Sequence, residues 1–184
     1  MTSAPKELCD EYAVHTQHLA NFNELRKITF PSPHTILLVA ANFEPVSSKE
    51  LADTASELIA SGAAYFCAWG ENCAEAETIW ETAATRLDSK KAFGYHSVTT
   101  SHEDETLEEA IWYALNCAFV DEHITESCSV VLISIDQPEW QNTIDNIRED
   151  PAGFNERSLE DAGPEEPGLG DVVPGEVRDS DFQS

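Results

Sequence analysis

The sequence predicts an α/β domain of Rossmann-like type, a three-layer sandwich around a four-stranded, mainly parallel sheet, flanked by an N-terminal helix and a disordered C-terminal tail. Short apolar, β-branched runs recur along the middle of the chain, as strands covered on both faces require. A segment with apolar residues at helical spacing follows each run. Capping residues and glycines punctuate the junctions.

Residues 1–32 read as one helix and a linker. Leu8, Tyr12, His15 and Leu19 fall at helical spacing, and Pro31 and Pro33 break the chain. The α/β domain spans 33–149. Its first strand is Ile36–Ala41, and Ser47-Ser-Lys-Glu50 forms a capping box for a helix with Leu51, Ala55, Leu58 and Ile59 on one face. Gly62 supplies the left-handed stop. The second unit pairs Ala63–Trp69 with a helix over Cys73–Leu87, and Gly70 makes the turn between them. A third strand over Tyr95–Thr100 leads to a helix from about Glu105 to Phe119. The fourth, Ser129–Ile135, precedes a short helix that Pro138 opens, with Trp140, Ile144 and Ile147 as its apolar stripe.

From Asp150 the composition changes. Residues 150–184 hold four prolines, five glycines, ten acids and two bases. With so few large apolar residues the segment cannot offset the roughly 1–2 kcal/mol per residue that backbone ordering costs, so an acidic disordered tail is expected.

The chain carries 35 acidic and 10 basic residues, a formal charge of −25. Such a surface repels phosphate, which excludes nucleic acid and anionic lipid as natural partners and favours a basic protein partner. No apolar run reaches the length of a membrane helix, and the first residues lack the apolar core of a secretory signal. Five cysteines, an odd number with three inside apolar stretches, suit reduced thiols in a cytoplasmic protein.

In open parallel sheets ligands bind beyond the carboxyl ends of the strands. The loops to search are therefore Asn42–Pro45, Gly70–Cys73, Thr99–Asp104 and Asp136–Pro138. None carries G-x-G-x-x-G, a P-loop or a G-x-S-x-G elbow, and Asn42-Phe43 stands where a phospho-receiver needs an acidic pair. No cofactor is expected. Cys73, at a helix start, and His102, in the next loop, are the candidates for a thiol–imidazole pair, with Glu103 and Asp104 as adjoining carboxylates. Glu71 and Glu75 oppose thiolate formation, so packing is the plainer role for Cys73. Cysteine spacings of six and eleven fit no zinc knuckle, and no metal is expected. Asn42, Trp69, Glu71 and Asp136 are candidates for lining a pocket at the same edge. The acidic run His102–Glu109 is first of all good helix-start chemistry, with Thr106-x-x-Glu109 as a capping box. Trp112, Tyr113 and Phe119 flank the inward stripe of their helix. They are either interface anchors or are covered by the N-terminal helix.

The segments Cys67-Ala-Trp-Gly-Glu-Asn-Cys73, Thr99-Thr-Ser-His-Glu-Asp-Glu105 and Leu107-Glu-Glu-Ala-Ile-Trp112 resemble an uncharacterised bacterial family of unknown function with a small α/β core. The resemblance covers about His34 to Trp140. It implies the fold and a bacterial source but no reaction, and its match rests on Trp69, Cys73, His102, Glu103 and Asp104. Two classes of function follow. The first is a non-enzymatic interaction protein, regulatory or immunity-like, that binds a basic partner. The second is a small enzyme with a Cys/His/carboxylate site at the carboxyl edge of the sheet.

Overall fold

A computed structural model describes residues 13–30, 34–87, 92, 94–119 and 129–161. Five strands form one sheet: β1 (Ala13–Leu19), β2 (Thr35–Ala40), β3 (Ala63–Trp69), β4 (Val98–His102) and β5 (Ser129–Ile135). The sheet order is β1-β5-β2-β3-β4, and every pair is parallel. Among the described residues five α-helices accompany it: α1 (Ser48–Ser61), α2 (Cys73–Leu87), α3 (Leu107–Asn116), α4 (Pro138–Glu149) and α5 (Pro151–Asp161).

The α/β class and the parallel sheet agree with the expectation, but the sheet has five strands rather than four. The fifth comes from the segment expected to be helical. Ala13–Leu19 pairs in register with Ser129–Ile135, and a 3-10 turn over Phe22–Lys27 follows it. Val14, Thr16 and His18 alternate onto one face of the sheet, a period of two. Helical spacing alone could not reveal it. The third expected strand moves three residues later. Tyr95 is not part of it, and its hydroxyl instead donates to the Ile59 carbonyl at 2.9 Å.

The central strands are fully buried, as continuous apolar runs require. Their side chains feed two cores. One lies under α1, α2 and the 3-10 turn, with Leu37, Val39, Phe66 and Ile133, and Phe66 stacks flat on Trp80 at 3.9 Å. The other lies under α3, α4 and α5, with Ile36, Leu38, Cys67, Leu132, Ile111 and Ile144. α1 begins with the Ser47 hydroxyl accepting from the Glu50 amide and ends at Gly62 in the left-handed conformation. α3 has the full reciprocal capping box between Thr106 and Glu109.

A tail is expected from Asp150, but Pro151–Asp161 form α5. Pro151 occupies the first turn, where its missing N–H is harmless. Phe154 enters the second core, and Asn155 accepts from the Asn116 side chain at 2.9 Å. The expected tail beyond 161, residues 1–12, the Pro31 and Pro33 break, Cys9 and Cys128 lie outside the described residues. Among the described residues no helix is long and apolar enough to cross a membrane.

Candidate functional site at the carboxyl edge

Because all strands are parallel, the segments after β2, β3, β4 and β5 emerge at one edge. The chain runs from β2 outward through β3 to β4, then returns to place β5 on the other flank of β2. The β2/β5 boundary is therefore the switch in strand order where such sheets open a crevice.

The structure puts each expected residue at this edge but separates their side chains. Asn42 is exposed and accepts from the Glu44 amide at 2.9 Å, a local turn bond. Glu71 is exposed, and its carbonyl accepts from the Phe43 amide. Asp136 is exposed at φ 55°, and its amide donates to Leu19. Trp69 donates its indole N–H to the Glu105 carbonyl at 2.8 Å and meets Trp140 edge-on at 5.2 Å. These two indoles, from β3 and from the start of α4, reach across the end of β2, where Ala40 is small.

Cys73 and His102 do not form a pair. The Cys73 side chain is fully buried in the core under α1 and α2. Burial pushes its thiol up, and hydrogen bonding to the backbone of His102 and Gly70 offsets only part of that. The His102 imidazole points to the opposite face, since it is hydrogen-bonded to Glu105 and packs edge-on against Tyr113 of α3 at 4.8 Å. Cys73 opens α2, which covers one face of the sheet, whereas His102, at the end of β4, turns its ring to the other, so neighbouring backbones carry side chains that part. Cys67 is a still poorer nucleophile, since burial pushes its thiol up to about 12.

His102 belongs instead to a polar cluster that the sequence reading did not assemble. Its Nδ1 lies 2.8 Å from the Glu105 carboxylate and its Nε2 3.2 Å from the Thr100 hydroxyl. In a neutral ring, a carboxylate at Nδ1 sets the proton there and Nε2 accepts from Thr100. The strand register sets Thr100 beside Cys67, and Tyr65 bonds Tyr113 at 2.9 Å. Burial and that tyrosine partner raise the Tyr65 phenol well above its ordinary value. The signal was present in Thr100-Ser-His102, where spacing by two puts both polar groups on one face. A second cluster lies at the far edge. His18 bridges the buried Ser134 hydroxyl at 2.7 Å and Asp145 of α4 at 3.1 Å, tying β1 to β5 and the helix above.

Of the aromatic candidates, Tyr113 is committed to Tyr65 and His102. Trp112 is half-buried, and its indole N–H has no partner among the described residues. Phe119 is 60% exposed. The N-terminal segment does not cover them as a helix, because it is the edge strand beyond β5. Glu103 and Asp104 are exposed and unpaired with any cation among the described residues. Also among the described residues, no three His, Cys, Asp or Glu side chains gather as a metal site would need.

Fold and edge define a doubly wound, all-parallel α/β domain whose carboxyl border bears exposed carboxylates and whose Cys67 and Cys73 thiols are withdrawn from it. The chain belongs to the family described as domain of unknown function (DUF7684), whose sequence model matches residues 14–151. That span takes in β1 as well as the segments from His34 to Trp140, so the N-terminal strand is part of the family's fold. No curated protein and no solved structure matches the chain.

Proposed function

We propose that this domain is a non-enzymatic interaction module, of regulatory or immunity-like kind, that receives a basic protein partner on the carboxyl edge of its sheet. One observation carries the reading. The segments between strand and helix at that edge bear exposed carboxylates at Glu44, Glu71, Glu103, Asp104, Glu105 and Asp136 and contain no lysine or arginine. Lys49, in the first turn of α1, is already paired with Asp53. The buried thiols support the same reading, because they leave the edge without its expected nucleophile.

The test is affinity capture with the full chain and its Glu103→Lys/Asp104→Lys variant at low and moderate salt. The expected partner is basic, elutes as screening rises and is lost to the variant, while the variant keeps the parent melting temperature. A partner that ignores both salt and charge reversal overturns the reading.

An enzyme at the same edge is the second reading, and its support is now the Glu105–His102–Thr100 alignment rather than a cysteine. A carboxylate-held imidazole accepting from a hydroxyl is the arrangement that activates oxygen nucleophiles. Treating the chain with an activated acyl ester and mapping the adduct by mass tests it. Acylation at Thr100 that disappears in His102→Ala supports the enzyme, and an unlabelled Thr100 removes it.

A further inference from the structure

The geometry points to β4 as an acceptor strand: an extended, basic segment of the partner adds to its free edge as a sixth strand of the sheet. This inference rests on the basic-partner reading and states how that partner is held.

β4 pairs with β3 on one side only, and no described strand lies on the other. An unpaired edge presents a row of backbone donors and acceptors that another extended chain can satisfy. Edge strands are usually blunted by lysine, proline, inward charge or a bulge. Val98-Thr-Thr-Ser-His102 has none of these, and its valine and threonines are good strand formers.

The surroundings set the sign of the guest. At the carboxyl end of β4 stand Glu103 and Asp104, both exposed. On one face, α2 packs along β4 and Glu77 accepts from the Ser101 hydroxyl. On the other face, half-buried Thr100 and Tyr113 lie beside the edge, and aromatic faces also favour cations. An incoming strand would alternate its side chains between these two faces. Arg86, in the last turn of α2, falls toward the amino end of β4, so the guest's basic residues belong against the carboxyl half. A second copy of this chain is a poor guest, since each carries a formal charge of −25. The 3-10 turn that follows the opposite edge strand, β1, carries Arg26 and Lys27 with Glu24, and so is not of one sign.

The experiment uses the full chain and three synthetic peptides of equal length: alternating Lys–Val, alternating Glu–Val, and the Lys–Val peptide with proline at alternate positions, which cannot form a ladder. Amide hydrogen exchange over residues 98–102 is the readout, with affinity measured alongside. Lys–Val is expected to protect β4 and to bind about tenfold more tightly than the proline peptide, the worth of one or two net hydrogen bonds. Glu–Val is expected not to bind. Equal binding of the Lys–Val and proline peptides without β4 protection overturns strand addition while the charge reading survives. Failure of both basic peptides to bind at low salt overturns the charge reading as well. If β4 is already protected in the free chain, sedimentation tells whether a second copy or the chain itself covers the edge, and either result overturns the proposal.

Discussion

At the scale of single residues, position on the strand pleat decides chemistry more than identity does. Cys67 and Cys73 sit next to groups that would serve a reactive thiol, yet both are buried and both thiols are pushed up. Burial holds the Cys67 group as the thiol at neutral pH. Alkylation of the folded chain at neutral pH, mapped by mass, should leave Cys67 and Cys73 unlabelled until denaturant is added. Labelling of Cys73 in the folded chain would restore the thiol form of the enzyme reading. Gly70 shows the same dependence on local geometry. It holds φ 113° at the end of β3, and a Cβ there would overlap the Ala41 carbonyl oxygen. Gly70→Ala therefore meets both left-handed strain and a backbone clash, and is expected to cost roughly 2–4 kcal/mol in denaturant unfolding. A loss within experimental error of zero would mean that the β2 and β3 ends part easily.

At the scale of elements, the ends of α3 show how acidic residues are used structurally before they are used for recognition. The Thr106 amide donates to the Glu109 carboxylate at 2.7 Å and its hydroxyl at 2.9 Å, while the Glu109 amide donates back to that hydroxyl. The bonds from the Thr106 backbone, then from its side chain, hold the Glu109 carboxyl below its ordinary 4.5. A carboxyl depressed in the folded state contributes fully above its unfolded value, and the contribution is lost as pH falls through the folded value. Glu109→Gln should therefore melt below the parent near neutral pH, and the gap should close in acid once both side chains are neutral. A gap independent of pH would show that the carboxylate charge plays no part. Elements of this kind were legible because their signals are local, as with Thr106-x-x-Glu109, the Gly62 stop and the apolar runs of β2, β3 and β5. β1 was missed because an edge strand is half exposed and has no continuous apolar run, while Leu8, Tyr12, His15 and Leu19 mimic a helix. α5 was missed because the polar composition of the whole tail hid one anchor, Phe154. The carboxyl edge itself was legible, since it follows from parallel strands. The facing of Cys73 and His102 was not, because it depends on which face of the sheet α2 covers and on the side of the pleat that His102 presents.

At the scale of the whole molecule, charge is the property that fold does not explain. With 35 acids and 10 bases, acids outnumber bases by 25, since 35 − 10 = 25. Three of the six described bases are tied into ion pairs. Arg26 joins Thr54, Asp53 and Glu57 of α1, Lys49 joins Asp53 and Arg157 joins Asp150. The surplus negative charge therefore repels itself across a small body, which destabilises the compact state when ions are scarce. At 0.01 M ionic strength the screening length is roughly 30 Å, so most carboxylates of one domain feel one another; near 0.15 M it is about 8 Å and most do not. Melting temperature should thus rise as sodium chloride is added from the low end and then level off, a few degrees corresponding to about 1 kcal/mol for a domain of this size. The few exposed ion pairs pull the other way, but such pairs are individually weak. A melting temperature that falls with added salt would mean that those pairs outweigh the repulsion. It would also weaken the case that an unpaired acidic edge is held ready for a basic partner, because an edge already neutralised from within has little to gain from one.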